Sequence, residues 1–586
     1  MALFNKSILA AALGAALVPV AASAADAAGV FTADQYKKAL WMTTRYFGAI
    51  RSGNVPNWAT QDTKFPVSFV KDSYKGNDVS GGWFDCGDHV MFGQTQFYAA
   101  YILAKGYATW KHGFTDVYNG DFSDYKKSKN YSISGGEGNG LQDVLEELRY
   151  EADFFVKITF SNSDFVYQKG EGGPDHQKWF HSGKMSTLPR SLGGEQEGSR
   201  KIYGAADMND GSMPGQCAAM LAVMARVDPD TTRRAAYLAG AKNAYAFSLT
   251  KSTTAPAPGG FYGANKSVLD ARLNAATELW LTTGEASYKT EALAVANNSA
   301  FQFNSGYRMD YENDEPIAML NAKYILGANL GSSNERDILK WLQNIWASAP
   351  TGVSKLNESG FPIRGISGYA FLTALYAMLA KDNSHDQFIY NQMDYMLGAN
   401  ASNQAYLVGW DEGNKKTPTK PHIRNYYLNE DSLQNTPGAV LVDTAHTKYL
   451  GAMVGGTLDG SYIADIDKLS MNEPCAEMNA PVAAVFGYIV SKLAPVDTSK
   501  FGGGTGTLSR RPVLALNVVR SGKTLEFRSP IGETLSEVKV LDASGRILWS
   551  DAARTSSARW TADRAGLYMV QASAGPQRYS ASIAVP

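Results

Sequence analysis

The chain has 586 residues, more than one hydrophobic core normally organises, so we expect a large domain and at least one small one. Its 55 lysines and arginines nearly balance its 56 aspartates and glutamates, and no basic run would follow a phosphate backbone, so nucleic acid is not an expected partner. Three cysteines are too few for a disulfide scaffold, and their spacing matches no zinc pattern.

Residues 1–24, MALFNKSILAAALGAALVPVAASA, have the features of a secretory signal peptide. A lysine at position 6 precedes an apolar run from Ile8, and the run ends in an Ala-Ser-Ala cleavage signal. The run is short for a membrane anchor and is broken by Pro19, and we expect no later segment of transmembrane length. We therefore predict an exported protein, extracellular or at the cell surface, without a membrane span.

Residues 28–495 form the predicted main domain, in which amphipathic segments of helical length recur. Long loops rich in glycine, asparagine, proline and aromatic residues separate these segments, and loops of that length are typical of functional sites. The predicted helices cover 32–50, 90–108, 141–158, 215–227, 232–249, 269–284, 335–349, 365–380, 386–398 and 477–493. The expected fold class is mainly α.

The composition changes after Lys492. Residues 496–511 are rich in glycine, serine and threonine and are predicted to be a linker. Residues 512–586 contain short alternating segments separated by SG, ASG and AG turns, a spacing that predicts a small β-sandwich. The predicted strands are VLALNVV, KTLEFRS, SEVKVLD, RILWS, ARWTA, GLYMVQAS and YSASIAV.

The stretch GGWFDCGDHVMFG, residues 81–93, places Asp85 and Asp88 in a loop before a predicted helix. Three interpretations are open. Asp88 can form an Asx turn or cap the helix. Asp85, Asp88 and His89 can join the Asp175-His176 pair in a hydrolytic metal site. One aspartate can act as a general base whose water attacks a sugar.

A second carboxylate stands in LSMNEPCAEMNAP, residues 469–481. Glu473 precedes a predicted helix, and Pro474 is expected in the first helical turn. The carboxylate can stabilise the helix dipole or donate a proton in catalysis. Glu477, four residues on, is a competing acid.

Taken together, these motifs resemble glycoside hydrolase family 9, the inverting cellulases. GGWFDCGDHVMFG is similar to the family's G-G-W-x-D-A-G-D-H motif, and PHIR (421–424) matches its Pro-His-x-Arg. FVYQKGEGGPDHQKW (165–179), NQMDYMLGANASNQAYLVGW (391–410) and residues 449–481 around Glu473 resemble further family segments. RSGNVP (51–56) also has a family counterpart, and all these segments lie in the expected order between residues 51 and 481.

The resemblance implies an (α/α)6 barrel with the active site in a cleft at one barrel end. The implied activity is endo-acting, inverting hydrolysis of β-1,4-glucosidic bonds in cellulose or related β-glucans. Asp88 matches the general base, Asp85 a neighbour that also holds the nucleophilic water, and Glu473 the general acid. His176, Trp179, His422 and Arg424 match positions that line the sugar subsites.

An inverting glycosidase needs two carboxyls about 6.5–9.5 Å apart, one ionised and one protonated, so the two environments must differ. Family members need no catalytic metal, although some bind structural calcium, for which no ligand positions can be matched. Processive or chain-end action is the alternative within the class. A metal-dependent hydrolase and a non-catalytic glucan-binding protein are the alternatives outside it.

Two departures from the family pattern are cysteines. Cys86 replaces the usual alanine between Asp85 and Asp88, and Cys475 lies two residues after Glu473. The fold should therefore bring both near one cleft. They either form a disulfide that ties the two loops together or remain two buried thiols.

The C-terminal segment has three alternatives. AGLYMVQA and the terminal YSASIAVP resemble the sorting domains of bacterial proteins exported across an outer membrane, which favours recognition by an export machinery. A carbohydrate-binding module would need a planar strip of exposed aromatic residues, and several of the candidates fall on the apolar phase of their strands. These candidates are Phe527, Trp549, Trp560, Tyr568 and Tyr579. A plain spacer is the third alternative.

Overall fold

The computed structural model describes most of the chain from residue 27 onward. The described residues are 27–54, 67–117, 140–161, 163–177, 180, 182–303, 309–356, 360–410, 412–423, 451–501, 514–515, 517–528, 535, 537–542, 547–552, 555, 557–574 and 577–585. The predicted signal peptide and most of the predicted linker lie outside these ranges.

Twelve helices of six residues or more lie in this part of the chain. They are Ala33–Ala49 (α1), Gly93–Thr109 (α2), Asp143–Ile158 (α3), Ser212–Val227 (α4), Thr231–Leu249 (α5), Leu269–Thr283 (α6), Ala286–Ala296 (α7), Glu315–Leu320 (α8), Ile338–Ser348 (α9), Pro362–Ala380 (α10), Asp386–Met396 (α11) and Ala476–Leu493 (α12). Every predicted helix is present. The sequence did not predict α7 and α8.

Alternate helices close into an inner ring. Helix α2 packs against α4, α4 against α6, α6 against α8, α8 against α10, α10 against α12, and α12 returns to α2. The outer helices pack against this ring, for example α5 on α4, α7 on α6 and α11 on α10. This arrangement is an (α/α)6 barrel, as the resemblance implies.

The inner helices are buried almost all round, so they lack the one-sided apolar stripe of surface helices. Helix α10 is long and apolar enough to cross a membrane, which contradicts the expectation that no later segment approaches that length. Most of α10 is buried inside the barrel, and a core helix of a folded domain passes the same test of length and composition.

Short strands in the barrel loops place the motif residues. They are Gly53–Asn54 (β1), Val67–Ser68 (β2), Ser73–Tyr74 (β3), Asn77–Asp78 (β4), Met91–Phe92 (β5), Val166–Lys169 (β6) and Ile202–Gly204 (β7). Strands β5, β6 and β7 form one antiparallel sheet, in which Met91 lies opposite Lys169. The loop that carries Asp88 precedes β5, and the loop that carries His176 follows β6, so this pairing brings the two loops together.

The C-terminal region forms a three-stranded and a five-stranded sheet. Its strands are Leu514–Ala515 (β8), Asn517–Ser521 (β9), Thr524–Arg528 (β10), Glu537–Leu541 (β11), Ile547–Asp551 (β12), Ser557–Thr561 (β13), Gly566–Ala574 (β14) and Gln577–Val585 (β15). The strand orders are β13-β10-β9 and β12-β11-β14-β15-β8. Side chains of both sheets share one apolar core, which confirms the predicted β-sandwich.

The aromatic residues of this sandwich do not line up as an exposed strip among the described side chains. Phe527 and Tyr568 are in the core, and Trp549 and Trp560 are partly buried against it. The side chain of Tyr579 lies outside the described part. The preference for core positions is therefore confirmed for Phe527 and Tyr568.

Candidate active site

The loop Asp85 to Val90, called here the base loop, is closed by its own backbone. The Asp85 N–H donates to the Val90 carbonyl at 3.0 Å, and Asp88 Oδ1 accepts from the Val90 N–H at 3.1 Å. The second contact is the Asx turn that the sequence offered as a purely structural interpretation. The helix-cap alternative is wrong, because α2 begins at Gly93 and its N-cap residue is Phe92. The turn uses one oxygen of Asp88, and the other faces a different loop.

That other oxygen, Asp88 Oδ2, lies 3.4 Å from His176 Nε2. The ring of His176 is oriented by its second nitrogen, because Nδ1 lies 2.6 Å from the Gly172 carbonyl oxygen. Asp175 accepts a hydrogen bond from the His89 backbone N–H at 3.2 Å, which joins the His176 loop to the base loop. His176 therefore lies beside the general-base candidate, and its role in lining a sugar subsite stays a prediction.

Asp85 is buried and held at both carboxylate oxygens. Oδ1 accepts from the Thr95 hydroxyl on α2, and Oδ2 accepts from the Tyr262 hydroxyl. Burial raises the pKa of Asp85 well above its usual range, and the charges of Asp88 and Glu477 raise it further. The hydrogen bonds from Thr95 and Tyr262 act in the opposite direction, because they stabilise the ionised form.

The loop Asn472 to Ala476, called here the acid loop, holds Glu473 in extended backbone between a helical turn and α12. Pro474 is not in the first helical turn, contrary to expectation, because α12 begins at Ala476 with Cys475 as its extended N-cap residue. The Glu473 side chain faces the base loop. Its Oε1 accepts a hydrogen bond from the Gly87 N–H of the base loop at 3.0 Å.

Backbone and covalent contacts join the two loops. The Ala476 N–H donates to the Asp85 carbonyl at 2.8 Å, and the Cα atoms of Cys86 and Cys475 are 3.9 Å apart. Cys86 and Cys475 form a disulfide bond, so the first of the two cysteine alternatives is confirmed. Cys217 is a buried free thiol on α4.

His422 packs where the two loops meet. Its backbone N–H donates to the Asn472 carbonyl at 2.9 Å, and its Nδ1 lies 2.8 Å from the Ile466 carbonyl oxygen. A Cβ atom at residue 87 would overlap the His422 carbonyl, so the glycine permits this close approach. Trp179 and Arg424, the other two predicted subsite residues, lie outside the described residues.

Three residues of the site were not identified from the sequence. Tyr262 joins Asp85 to the loop after α5, and its hydroxyl also lies 3.3 Å from Cys86 Sγ. Phe261 is exposed, and its ring centroid is 4.6 Å from that of His176, which offers an aromatic face beside the site. Arg364 on α10 pairs with Glu477 at 2.6 Å.

The competing acid Glu477 is thus accounted for. Burial raises its pKa, and the adjacent Arg364 guanidinium acts in the opposite direction. A buried carboxylate that is paired with an arginine has a structural partner, whereas Glu473 accepts a hydrogen bond from the loop that carries the base. This contrast favours Glu473 as the acid.

In the part of the chain that the structure describes, two groups of side chains have the proximity that a metal ion requires. Asp88, Asp175 and His176 form one, and Cys86, Cys475 and Glu477 form the other. The second does not fit, because its sulfurs are joined in a disulfide and are not thiolates. The first contains an imidazole, which does not suit calcium, a cation that prefers oxygen ligands. Neither group therefore fits a structural calcium ion, which the sequence left open.

The barrel and the two carboxylate loops at one end of its inner helices define a carbohydrate-hydrolase type of site. Residues 36–486 match the model of glycosyl hydrolase family 9, and the chain belongs to this family. Enzymes of this family need no cofactor for catalysis.

Curated relatives agree with this assignment, and solved structures share the fold. The chain is 42% identical over 427 residues to Endoglucanase A of Fibrobacter succinogenes, which covers 71% of this chain and 92% of the relative. Endoglucanase A of Bacillus pumilus is 26% identical, and the match covers 88% of this chain and 82% of that relative. The endoglucanase of the termite Nasutitermes takasagoensis has a TM-score of 0.60 at 21% identity, covering 78% of this chain and 99% of that one. A C. cellulolyticum cellulase in complex with cellobiose has a TM-score of 0.63 at 22% identity, and the match covers 78% of this chain and 99% of that one.

Proposed function

We propose that this protein hydrolyses internal β-1,4-glucosidic bonds of cellulose or a related β-glucan, with inversion at the anomeric carbon. The observation that carries the proposal is the direct contact between the base loop and Glu473 in a family 9 barrel. The relatives named endoglucanases support the substrate class.

In this reaction Asp88 accepts a proton from a water molecule as its oxygen attacks the anomeric carbon. Glu473 donates a proton to the glycosidic oxygen as the bond to the leaving sugar breaks. The Gly87 N–H donates to Glu473 Oε1, which leaves the transferable proton for Oε2. His176 and the Asx turn hold the Asp88 carboxylate, while Thr95 and Tyr262 hold the neighbouring Asp85.

Viscosity and reducing ends, followed together on carboxymethylcellulose, test the proposal. Endo action lowers viscosity early, while few reducing ends have formed. Chain-end action releases reducing sugar while viscosity persists. Asp88→Asn and Glu473→Gln should each lower kcat by at least about 10³-fold while the folded protein still binds glucan. Normal turnover in either variant would contradict the proposed roles.

The second candidate function is a metal-dependent hydrolase. It is favoured by the proximity of Asp88, Asp175 and His176, which could together bind a metal ion. Treatment with a chelator distinguishes the two candidates. Undiminished turnover is expected for the proposed mechanism, whereas complete loss from a protein that remains folded would favour metal catalysis. Loss of a purely structural ion would lower the melting temperature instead.

We also propose that the protein is secreted by its N-terminal signal peptide and that the C-terminal sandwich is recognised by an export machinery. The aromatic core positions of Phe527 and Tyr568 support this role over a glucan-binding module. The full chain and a chain ending at residue 501 should bind cellulose equally, but only the full chain should reach the surface or medium of a bacterial host that exports proteins through such sorting domains. Weaker cellulose binding by the shortened chain would favour the module.

A further inference from the structure

The Cys86–Cys475 disulfide joins residues 389 positions apart, at the two points of the chain that matter most for the proposed chemistry. Cys86 is adjacent to Asp85 and two residues before Asp88, and Cys475 is two residues after Glu473. The bond therefore connects the base loop directly to the acid loop.

The barrel itself is held by other contacts. The base loop leads through β5 into α2, and the acid loop leads into α12. These two inner helices pack against each other along their length, and both are buried in the main apolar core. The helix packing closes the ring without the disulfide, so the covalent bond acts at the loops.

The surroundings of the disulfide leave little room for movement. Cys475 is fully buried and Cys86 nearly so, and the Tyr262 hydroxyl that binds Asp85 also contacts Cys86 Sγ. Next to Cys86, the Gly87 N–H donates to Glu473 Oε1, and a Cβ atom at Gly87 would overlap the His422 carbonyl. Two thiols in place of the bonded sulfurs would need more space, because non-bonded atoms repel at covalent distance. The two loops would have to move apart to provide it.

We propose that the Cys86–Cys475 disulfide is a positioning device that sets the relation between the base and acid carboxylates, so that the oxidised protein turns over faster than the reduced one. The inference rests on the proposed function, since it concerns the carboxylates assigned there. A misplacement of catalytic groups by about 1 Å costs on the order of 10²-fold in rate, so a small separation of the loops is enough to be measured.

Reduction by a dithiol proceeds by two exchange steps. A thiolate of the dithiol attacks one sulfur to form a mixed disulfide, and its second thiolate displaces the enzyme sulfur. The dithiol is oxidised to a cyclic disulfide, and Cys86 and Cys475 take up two electrons and two protons as free thiols. Air or oxidised glutathione reverses the reaction by taking up the same two electrons.

The test uses the full-length protein with Cys217→Ala as the parent, because this removes the remaining thiol. The unreduced, unfolded parent should bind no thiol reagent, and the dithiothreitol-treated parent should bind two equivalents. On a soluble cello-oligosaccharide, kcat of the reduced parent should fall by about tenfold or more and return on reoxidation. KM should change by less than about twofold, and the circular dichroism spectrum should be unchanged.

A second variant, which adds Cys86→Ala and Cys475→Ala to the parent, should have the low kcat and no response to dithiothreitol. If dithiothreitol fails to reduce the buried bond, this variant still shows the activity of the protein without the disulfide. Equal kcat values for the oxidised parent and this variant, or for the oxidised and reduced parent, would overturn the inference, as would thiol labelling of the unreduced parent. An oxidised parent that is folded but inactive on β-glucan would instead contradict the proposed function.

Discussion

The backbone N–H of Gly87 donates a hydrogen bond to Glu473 Oε1 at 3.0 Å, so a residue between the two aspartates contacts the general-acid candidate directly. A side chain at position 87 has no space, because a Cβ atom would overlap the His422 carbonyl and lie 3.0 Å from Glu473 Oε1. The glycine in the family motif therefore has a packing reason: no larger residue fits between the two loops.

Gly87→Ala should lower kcat by about 10²-fold, because the added methyl group forces the base and acid loops apart. The measurement is the initial rate on a soluble cello-oligosaccharide, with the melting temperature as a check on folding. Gly365→Ala is the matched control, since a Cβ atom there, on helix α10, meets only the Tyr369 ring at 3.9 Å. Equal rates for Gly87→Ala and the control would contradict the loop contact.

Tyr262→Phe should move the acid limb of the kcat/KM profile to higher pH and lower the rate by about 10- to 100-fold. The Tyr262 hydroxyl stabilises ionised Asp85, so its loss raises the pKa of Asp85 further. Tyr245→Phe is the control, because it removes a hydroxyl that donates to Glu291 at 2.7 Å between the outer helices α5 and α7. An unshifted acid limb in Tyr262→Phe would argue against a role for Asp85 ionisation.

Glu477→Gln should move the acid limb of the kcat/KM profile to lower pH. The charge of Glu477 raises the pKa of buried Asp85, and its removal leaves the Arg364 guanidinium without its paired carboxylate. Both changes favour ionised Asp85 and lower its pKa. The unpaired arginine also costs stability, on the order of 3–5 kcal/mol for a broken buried pair, so the profile is measured well below the melting temperature. A limb that moves upward would refute this electrostatic coupling.

Asp394, which lies outside the active site, should make the stability of the protein depend on pH. Burial raises its pKa to about 6, although Tyr36 and the Val30 N–H donate hydrogen bonds to it. Because the folded state holds the proton more tightly than the unfolded state, stability from this group is complete below about pH 4 and declines as pH rises to about 6. The loss is about 3 kcal/mol, from a shift of roughly two pKa units.

Asp394→Asn cannot titrate, so its melting temperature should fall less than that of the natural protein between pH 4 and pH 7. The comparison uses thermal unfolding of both proteins in the same buffers. The absolute melting temperatures will differ, because the amide cannot accept both hydrogen bonds, and only the two slopes are compared. Parallel slopes would show that Asp394 does not titrate in this range.

The three catalytic candidates were predictable because each lies in a short, contiguous motif. Their partners were not, because the partners come from distant parts of the chain. Tyr262 stands in a glycine-rich loop 177 positions after Asp85, and nothing in its local sequence marks it. The adjacent aromatic residues Phe261 and Tyr262 indicate a functional loop only after the position of the site is known.

The helices show the same division between local and long-range information. Each of the ten predicted segments carries apolar residues that mark its buried face. Helix α7 has only Ala292 and Ala296 buried, so it has no apolar stripe to recognise. Helix α8 is six residues long, starts at a buried glutamate and continues as a π-helical turn over Asn321–Ile325. Only tertiary packing identifies it as an inner helix.

The cysteine pair combines both kinds of information. The family motifs indicated that Cys86 and Cys475 flank the catalytic carboxylates, but the choice between a bond and two thiols required the distance between the loops. That distance is set by the Ala476 to Asp85 backbone hydrogen bond and by the packing of α2 on α12, neither of which a local pattern contains.

The central claim is that Asp88 and Glu473 act by single displacement, and the anomeric form of the first product tests it most directly. Proton NMR during hydrolysis of cellotetraose, at times short compared with mutarotation, separates the two anomers. We expect the α-anomer at the newly formed reducing end to appear first and then to equilibrate with the β-anomer. Initial formation of the β-anomer would show retention through a covalent intermediate and would contradict the assigned roles of both carboxylates.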